Sequence, residues 1–368
     1  MDGCTAVLMD AASAATETSA VPEAWGGDVA PFSVTRVTST DIEDQAASLN
    51  GWNQVYEQMT PGRFVGKLHE LRFSGVQLFR ETSNQAVHES GTPWAGSRAV
   101  GVPIEMDSTA RFGGQPVDTD ALVTLGPADE LDFYTPRGFD ILGLAIDADV
   151  LEAHARQVEH RDIAAVFGTR SVFKPGTVRL NEFRRALLSV LQSLDANPTA
   201  LQFRQTQRVL EQTMLGAVVA VVADEAAAPE VANPRRRHIV DSAKDFMRSR
   251  IAETITVADL CIELGVSRRT LQYSFQEVLG INPIRFLRAM RLNGVRRDFK
   301  NPGPLASSVQ DTAANWGFWH LGHFVTDYKR MFGELPSETL RRTRRSATVA
   351  RPHSGEPRTD NGAPSRIG

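Results

Sequence analysis

The stretch TVADLCIELGVSRRTLQYSFQEVLG, residues Thr256–Gly280, decides how this chain is read. Thr256 is a good N-cap, and acidic Asp259 follows three residues later, close to a capping box. Val257, Leu260, Cys261 and Leu264 form the inner face of a short helix. Gly265 ends it where a left-handed residue is wanted. Val266 plugs the turn, and Ser267 caps a second helix whose inner face is Leu271, Phe275 and Val278. Two short helices that meet closely need a small residue at the crossing, and Cys261, four before Gly265, fills that place. The spacing predicts a helix-turn-helix over about residues 256–279. The second helix leaves Arg268, Arg269, Thr270, Gln272 and Tyr273 on or near its outer face at the N-terminal end. In such motifs that end enters the major groove. Arg pairs with guanine O6/N7 and Gln with adenine N6/N7.

A related pattern lies about fifty residues on, over residues 308–332. Val309–Trp316 reads as a short amphipathic helix, with small Ala313 four before Gly317 and Phe318 as the plug. The run Trp319–Phe332 reads as the second helix, packed through Phe324, Tyr328 and Phe332. Between the units Asn282-Pro283 starts a helix as N-cap and N1. It runs through Phe286, Leu287, Met290, Leu292 and Val295 to about Phe299, decorated by Arg285, Arg288, Arg291, Arg296 and Arg297. Gly294 is unusual inside it, costing ~1 kcal/mol against Ala. Two reading heads on one connecting helix would reach successive major-groove segments ~34 Å apart.

Charge points the same way. Arg235–Arg345 holds 20 Lys+Arg and 11 Asp+Glu, a balance of +9, while the rest holds 20 and 33, a balance of −13. A basic segment on an acidic body predicts that one part meets a polyanion, a solvated basic face being the plainer reading. The 368 residues predict two domains, and 42% hydrophobic residues are ample for real cores. The longest apolar run, near Met214–Ala223, is about half of what a membrane helix needs. Two cysteines, Cys4 and Cys261, cannot make a disulfide scaffold. A cytoplasmic protein with no membrane partner is expected.

Upstream, residues 1–30 are Ala/Ser/Thr-rich and read as a disordered tail. Residues 31 to about 150 look mainly β. Alternation in Arg63–Phe73, a turn at Ser74-Gly75 and the returning Val76–Phe79 predict a hairpin. Ala121–Leu125, Leu131–Tyr134 and Ile141–Ile146 are further strands, and the set suggests a small barrel or sandwich. Leu180, Phe183, Leu187, Leu188, Leu191 and Leu194 make one helical stripe that Asn197-Pro198 stops. A second helix is expected over about Thr199–Asp224, with Phe203, Leu210 and Met214 inward. These helices cover the β core, and packing against a second subunit is the alternative. The domain so defined is 31–225. Residues 226–235 read as a linker, 236–342 as the helical domain, and 346–368 as a second disordered tail.

The strings GVSRRTLQYSF, GINPIRFLRAMRLN and WGFWHLGHFVTDYKRMFGELPSE resemble the DNA-binding domain of AraC/XylS-type transcription regulators over about residues 236–342. The segment Gly51–Glu81, with the string GFWHLGHFVTDY, is similar to the members that govern ethanolamine utilisation in enteric bacteria. The resemblance implies an α+β chain: a cupin-like N-terminal domain with flanking helices, and an all-α double helix-turn-helix domain. It implies that the first domain senses a small-molecule effector and forms a homodimer. It implies that the second binds double-stranded promoter DNA and recruits RNA polymerase, as an activator. Ethanolamine with adenosylcobalamin is the implied effector, although no DxHxxG-type cobalamin signature is present. Carried over by position, the base-contacting places fall on Arg269, Thr270, Gln272 and Tyr273, then on Trp319, His320, Leu321, His323 and Thr326. Gly322 and Thr326 depart from the commoner Ser and Arg, so the second helix has little cationic base-reading ability.

Phosphate partners are expected at Ser267, Arg268, Arg285, Arg288, Lys329 and Arg330. No metal set is legible, because His69-Glu70 and His88-Glu89 stand alone, and His320 and His323 lack a third ligand. Cys261 reads as packing. No enzyme activity and no cofactor are expected. The rivals are a cupin-type enzyme with a DNA tether, and a non-specific architectural DNA binder. Trp52, Phe64, Trp94, Phe112, Phe133 and Tyr134 are candidates to line an apolar pocket.

Overall fold

Ser74 and Gly75 both adopt positive φ, 45° and 75°, in a two-residue turn. That turn matches the strand twist and sets the register Phe73↔Val76 between β4 (Gly66–Phe73) and β5 (Val76–Ser83). This hairpin is the centre of a computed structural model that describes residues 15–20, 32–158, 160, 162, 163, 167, 171–222, 233–301 and 308–349.

The N-terminal domain is built from two antiparallel sheets. The larger adds β1 (Ala15–Ala20), β2 (Phe32–Ser39), β7 (Ser97–Glu105), β10 (Leu122–Leu125), β12 (Phe139–Asp147) and β13 (Val172–Phe173), in the order β1-β2-β4-β5-β12-β7-β10-β13. The smaller holds β3 (Asn53–Gln58), β6 (Val87–Thr92), β8 (Ala110–Phe112), β9 (Gln115–Val117) and β11 (Leu131–Thr135), in the order β3-β6-β11-β8-β9. One core lies between the sheets, joining Phe112, Leu131 and Phe133 of the smaller to Ala99, Val123 and Ala145 of the larger. The other face of the large sheet is covered by helices. These are α2 (Ala148–Gln157), α3 (Thr177–Ala196) and α4 (Arg204–Val222), whereas α1 (Ile42–Ser48) packs on Tyr56 and Val87 of the smaller sheet. Leu71, Leu78, Leu142 and Leu144 pack there on Leu180, Phe183, Leu187, Met214 and Val218.

The C-terminal domain is helical: α5 (Pro234–Ser249), α6 (Val257–Leu264), α7 (Arg268–Leu279), α8 (Pro283–Lys300), α9 (Val309–Asn315), α10 (Leu321–Phe332) and α11 (Pro336–Val349). The first unit folds around Leu260, Leu271, Phe275, Val278 and Phe286. The second folds around Val295, Phe299, Phe324, Tyr328 and Phe332. Because α8 supplies residues to both cores, it fixes the two units to each other.

Several expectations need correction. Residues 15–20, inside the stretch read as a disordered tail, pair with β2. The helix expected from Thr199 starts at Arg204, after a 3-10 turn over Pro198–Gln202, and Phe203 between them is 64% exposed, not inward. Helix α5 starts at Pro234, within the stretch read as linker, and α11 runs to Val349, past the start of the expected second tail. The remainder of those tails and linker lies outside the described residues.

Gly294 now has a reason. A Cβ there would meet the Trp316 ring at 2.2 Å, with Trp316 Nε1 donating to Asp298 Oδ2 at 2.6 Å. Gly294→Ala should therefore destabilise the protein by about 1–3 kcal/mol, despite the better helix propensity. Urea unfolding followed by Trp fluorescence checks this, and equal or higher stability would contradict it.

Candidate nucleic-acid interface

The turn of the first unit forms as its residues dictate. Thr256 and Asp259 make the full capping box, with Thr256 N–H donating to Asp259 Oδ2 at 2.8 Å. Gly265 takes φ 60°, and Val266 N–H bonds back to the Cys261 carbonyl at 3.1 Å. Ser267 Oγ then accepts from Thr270 N–H at 3.1 Å and caps α7. At that end Ser267, Arg268, Arg269, Gln272 and Tyr273 are exposed and Thr270 is half-buried. The Arg269 guanidinium lies 5.1 Å from the Tyr273 ring centroid, which holds it over the tip of the helix.

The second unit repeats the device with weaker chemistry. Gly317 takes φ 77°, and Phe318 N–H bonds to the Ala313 carbonyl at 3.0 Å. Helix α10 starts two residues later than expected, with His320 as N-cap and no side-chain capping bond. Trp319 and His320 therefore stand before the helix. Trp319 is 65% and Leu321 41% exposed, and His323 and Thr326 are also open. The Thr326 hydroxyl donates to the Gly322 carbonyl at 3.0 Å. This head presents aromatic, imidazole and apolar surface rather than fixed positive charge.

Among the phosphate candidates, Arg288 and Arg330 converge on the buried carboxylate of Asp327. Arg268, Arg285 and Lys329 are exposed, and none of the described ion pairs includes them. Arg285, Arg288 and Arg330 border one groove between the units.

Arg291 turns to the Glu253 carbonyl within the helical domain, while Arg296 and Arg297 face the N-terminal domain. Arg296 is buried, and its Nη2 donates to Asp41 Oδ2 at 2.6 Å while Nη1 reaches Glu334 Oε1 at 2.7 Å. Lys300 Nζ adds bonds to Asp41 Oδ1 at 2.6 Å and Asp44 Oδ1 at 2.7 Å. Buried Asn293 inserts its amide into the edge of β3. Its Oδ1 accepts from Gln58 N–H and its Nδ2 donates to the Gln58 carbonyl, both at 3.0 Å. Gln58 Nε2 donates to the Met331 carbonyl at 2.7 Å. His88 sits between Asp132 at 2.9 Å and Glu57 at 3.4 Å, its ring 5.9 Å from Phe286, and Lys244 Nζ joins Asp132 at 3.3 Å. The small sheet is thus clamped to the back of α8 while both reading ends stay open on the front.

Electrostatics at this seam oppose burial. Burial would raise the Asp41 carboxyl, but Arg296 and Lys300 outweigh it and hold it well below its usual range. Burial would raise Asp132 too, and His88 and Lys244 pull it down. Burial would lower His88, yet hydrogen bonds to Asp132 and Glu57 raise it.

None of the seam residues was singled out for this role from the sequence. Asp41 and Arg296 are 255 positions apart. One signal was there: Asn293 follows Phe286 and Met290 at steps of four and three, a polar side chain on an apolar stripe. Between the sheets there is also a cavity of about 50 Å³. Of the aromatics proposed for a pocket, Trp52, Phe112 and Phe133 line it, joined by Tyr56 and Phe79. Phe64 packs in another cluster, Trp94 packs against the inter-sheet core without lining the cavity, and Tyr134 turns toward the helical domain.

A profile described as a helix-turn-helix domain matches residues 260–342. The chain is similar to the "Probable thc operon regulatory protein" of Rhodococcus erythropolis, 37% identical over 131 residues, 36% of this chain and 40% of the relative. It is similar to the "XylDLEGF operon transcriptional activator 2" of Pseudomonas putida, 34% identical over 95 residues, 26% of this chain and 60% of the relative. The chain thus spans less than two thirds of either relative. A solved structure of a probable AraC family transcriptional regulator from Rhodopseudomonas palustris is 33% identical, over 29% of this chain and 97% of that chain, with a TM-score of 0.27. The geometry and the profile match define residues 260–342 as a helix-turn-helix domain.

Two predictions follow from the seam. Arg296→Ala leaves buried Asp41 with Lys300 alone and should cost about 2–3 kcal/mol in urea unfolding; a change under about 0.5 kcal/mol would contradict the clamp. The depressed Asp41 and Asp132 contribute stability above their ordinary value of 3.8, lost as pH falls below it. The raised His88 contributes below 6.5, and this is lost as pH rises through its folded value. A urea midpoint profiled against pH should peak between those limits, and His88→Gln should flatten its alkaline side.

Proposed function

We propose that the chain is a sequence-specific regulator of transcription that grips promoter DNA with both helix-turn-helix units. The observation that carries this reading is the pair of open N-terminal ends, each presented by a positive-φ glycine and both rooted in α8. In this reading Arg269, Thr270, Gln272 and Tyr273 read bases in one groove. Trp319, His320, Leu321, His323 and Thr326 face the next, through van der Waals and imidazole contacts. Ser267, Arg268, Lys329 and Arg330 hold phosphates, with Arg285 and Arg288 between the heads.

The finer parts rest on other supports. Activation, with RNA polymerase as partner, rests on the family resemblance and on relatives that are named activators. A homodimer is supported by exposed Val178, Phe203 and Val209 around α3 and α4. A small-molecule effector is supported by the cavity between the sheets. Its volume of about 50 Å³ is far too small for a corrinoid. The chain acts by binding, not as a catalyst.

Coupling has a direct route. In the register of β3, β6 and β11, Tyr56, Glu89 and Phe133 stand opposite one another, and so do Glu57, His88 and Tyr134. The first row lines the cavity and the second faces the helical domain. A ligand that shifts the first row shifts the second, and with it the seat of α8.

The test selects a preferred site from random DNA and measures binding by fluorescence anisotropy. Arg269→Ala and Gln272→Ala should each lose ~1–3 kcal/mol on that site and little on scrambled DNA. Arg268→Ala should weaken both alike and lower the salt slope by about one. Equal affinity of the native chain for selected and scrambled DNA would overturn the reading.

A further inference from the structure

Asp327 and Arg330 follow His323 on α10 at steps of four and seven, so all three share one face of that helix. The groove between the two units, which Asp327 and Arg330 line, therefore adjoins the open surface of α10. Arg285, Arg288, Ala289 and Leu292 of α8 supply another wall, and the rest comes from the other domain, from Met59 and Pro61. Those two residues belong to the loop 59–65 between β3 and β4. The loop is fixed on α10. Gln58 Nε2 stands 2.7 Å from the carbonyls of Thr60, Gly62 and Met331, and Gly62 N–H donates to the Met331 carbonyl at 3.1 Å.

The N-terminal domain brings positive charge to this place. The stem of Arg63 lies across the C-terminal end of α10, where a Cβ at Gly333 would strike its Cγ. Arg137, in the turn between β11 and β12, donates from Nη2 to the Pro61 carbonyl at 2.6 Å and to Gln85 Oε1 at 2.9 Å. Three residues before it on β11, Tyr134 feels the charge of Arg285, so the basic groups of the two domains adjoin. Arg63 and Arg137 are exposed, and none of the described ion pairs includes either. With Arg285, Arg288 and Arg330 they set five guanidinium groups at one groove, against the single carboxylate of Asp327 among the residues that line it. Guanidinium groups match phosphate in shape and charge, and a row of them beside a reading helix matches the backbone of a duplex.

We propose that the N-terminal domain is itself part of the DNA-binding surface. Arg63 and Arg137 hold the phosphate backbone where it passes the groove, and they extend the contacts of Arg285, Arg288 and Arg330 across the domain boundary. The proposal rests on the reading of the chain as a DNA-binding regulator and adds a surface from outside the helix-turn-helix domain. Nε and Nη2 of Arg137 secure the loop, which leaves the two Nη1 N–H groups for a phosphate oxygen. Contacts to phosphate carry no sequence information, so these arginines add affinity for any duplex and leave discrimination to the reading ends. Because the loop is bonded to Met331, the basic strip is continuous only while the domains are docked.

The experiment is fluorescence anisotropy of the full chain on selected and scrambled DNA, between about 50 and 200 mM salt. Arg63→Gln and Arg137→Gln should each weaken both duplexes roughly threefold to tenfold and lower the salt slope by about one, and the double variant by about two. Arg63→Lys and Arg137→Lys keep the charge and should keep the slope. The ratio of affinities for the two duplexes should stay unchanged throughout. Thermal unfolding shows whether each variant is folded. Arg63 makes no described side-chain hydrogen bond, so its variants report charge even if those of Arg137 disturb the loop. Unchanged affinity and slope in the double variant would overturn the proposal. So would tighter binding by Arg63→Glu, the sign of a loop that covers the groove instead of extending it. Arg268→Ala is the control for the broader reading. If it lowers the slope while the double variant does not, the contribution of the N-terminal domain falls and the reading stands. A native chain that binds neither duplex overturns both.

Discussion

Asn293 pairs with the backbone of Gln58 as though it were one more residue of a strand, and two turns of bonds beyond it Arg296 and Lys300 close on Asp41. This seam joins the domains through the helix that also holds both helix-turn-helix units, with Lys244 of α5 and the Met331 carbonyl of α10 beside it. Remove it and α8 remains a connector, but its pose no longer answers to the sheets. The seam combines buried charge with an apolar contact of Met59, Ala86 and Tyr134 on the core of the first helix-turn-helix unit.

The small sheet does two jobs because a strand alternates sides. Tyr56 and Glu89 point into the cavity, and their neighbours Glu57 and His88 point at the helical domain. No long pathway is required between the two. The distance from ligand space to the connecting helix is one sheet thick. The exposed ends of α7 and α10 stay open with the domains docked.

Much of the helical domain was legible because its signals are local. A capping box, a glycine elbow and a stripe at steps of three and four occupy a few residues each, and Gly265, Ser267, Leu271 and Phe275 take the places that spacing assigns them. The hairpin at Ser74-Gly75 was legible for the same reason. The seam was not, since Asp41 meets Arg296 only once the whole chain has folded. Arg296 read as decoration because a charged residue on a helix is ordinarily solvated, and nothing nearby in sequence supplies its partners. The cavity was half legible: aromatics in a β domain are mostly core, and which of them border a gap depends on how strands far apart in sequence pair. The start of α10 was misplaced because Trp319 and His320 fit the apolar pattern, while the backbone delays the helix until Leu321.

The central claim is that one helix sets two reading heads in neighbouring grooves on a single face of the duplex. Hydroxyl-radical footprinting of the full chain on its selected site measures this directly. Two protected windows on the same face, centred about 10 bp apart, are the expected pattern. One window alone, or two on opposite faces, would contradict it.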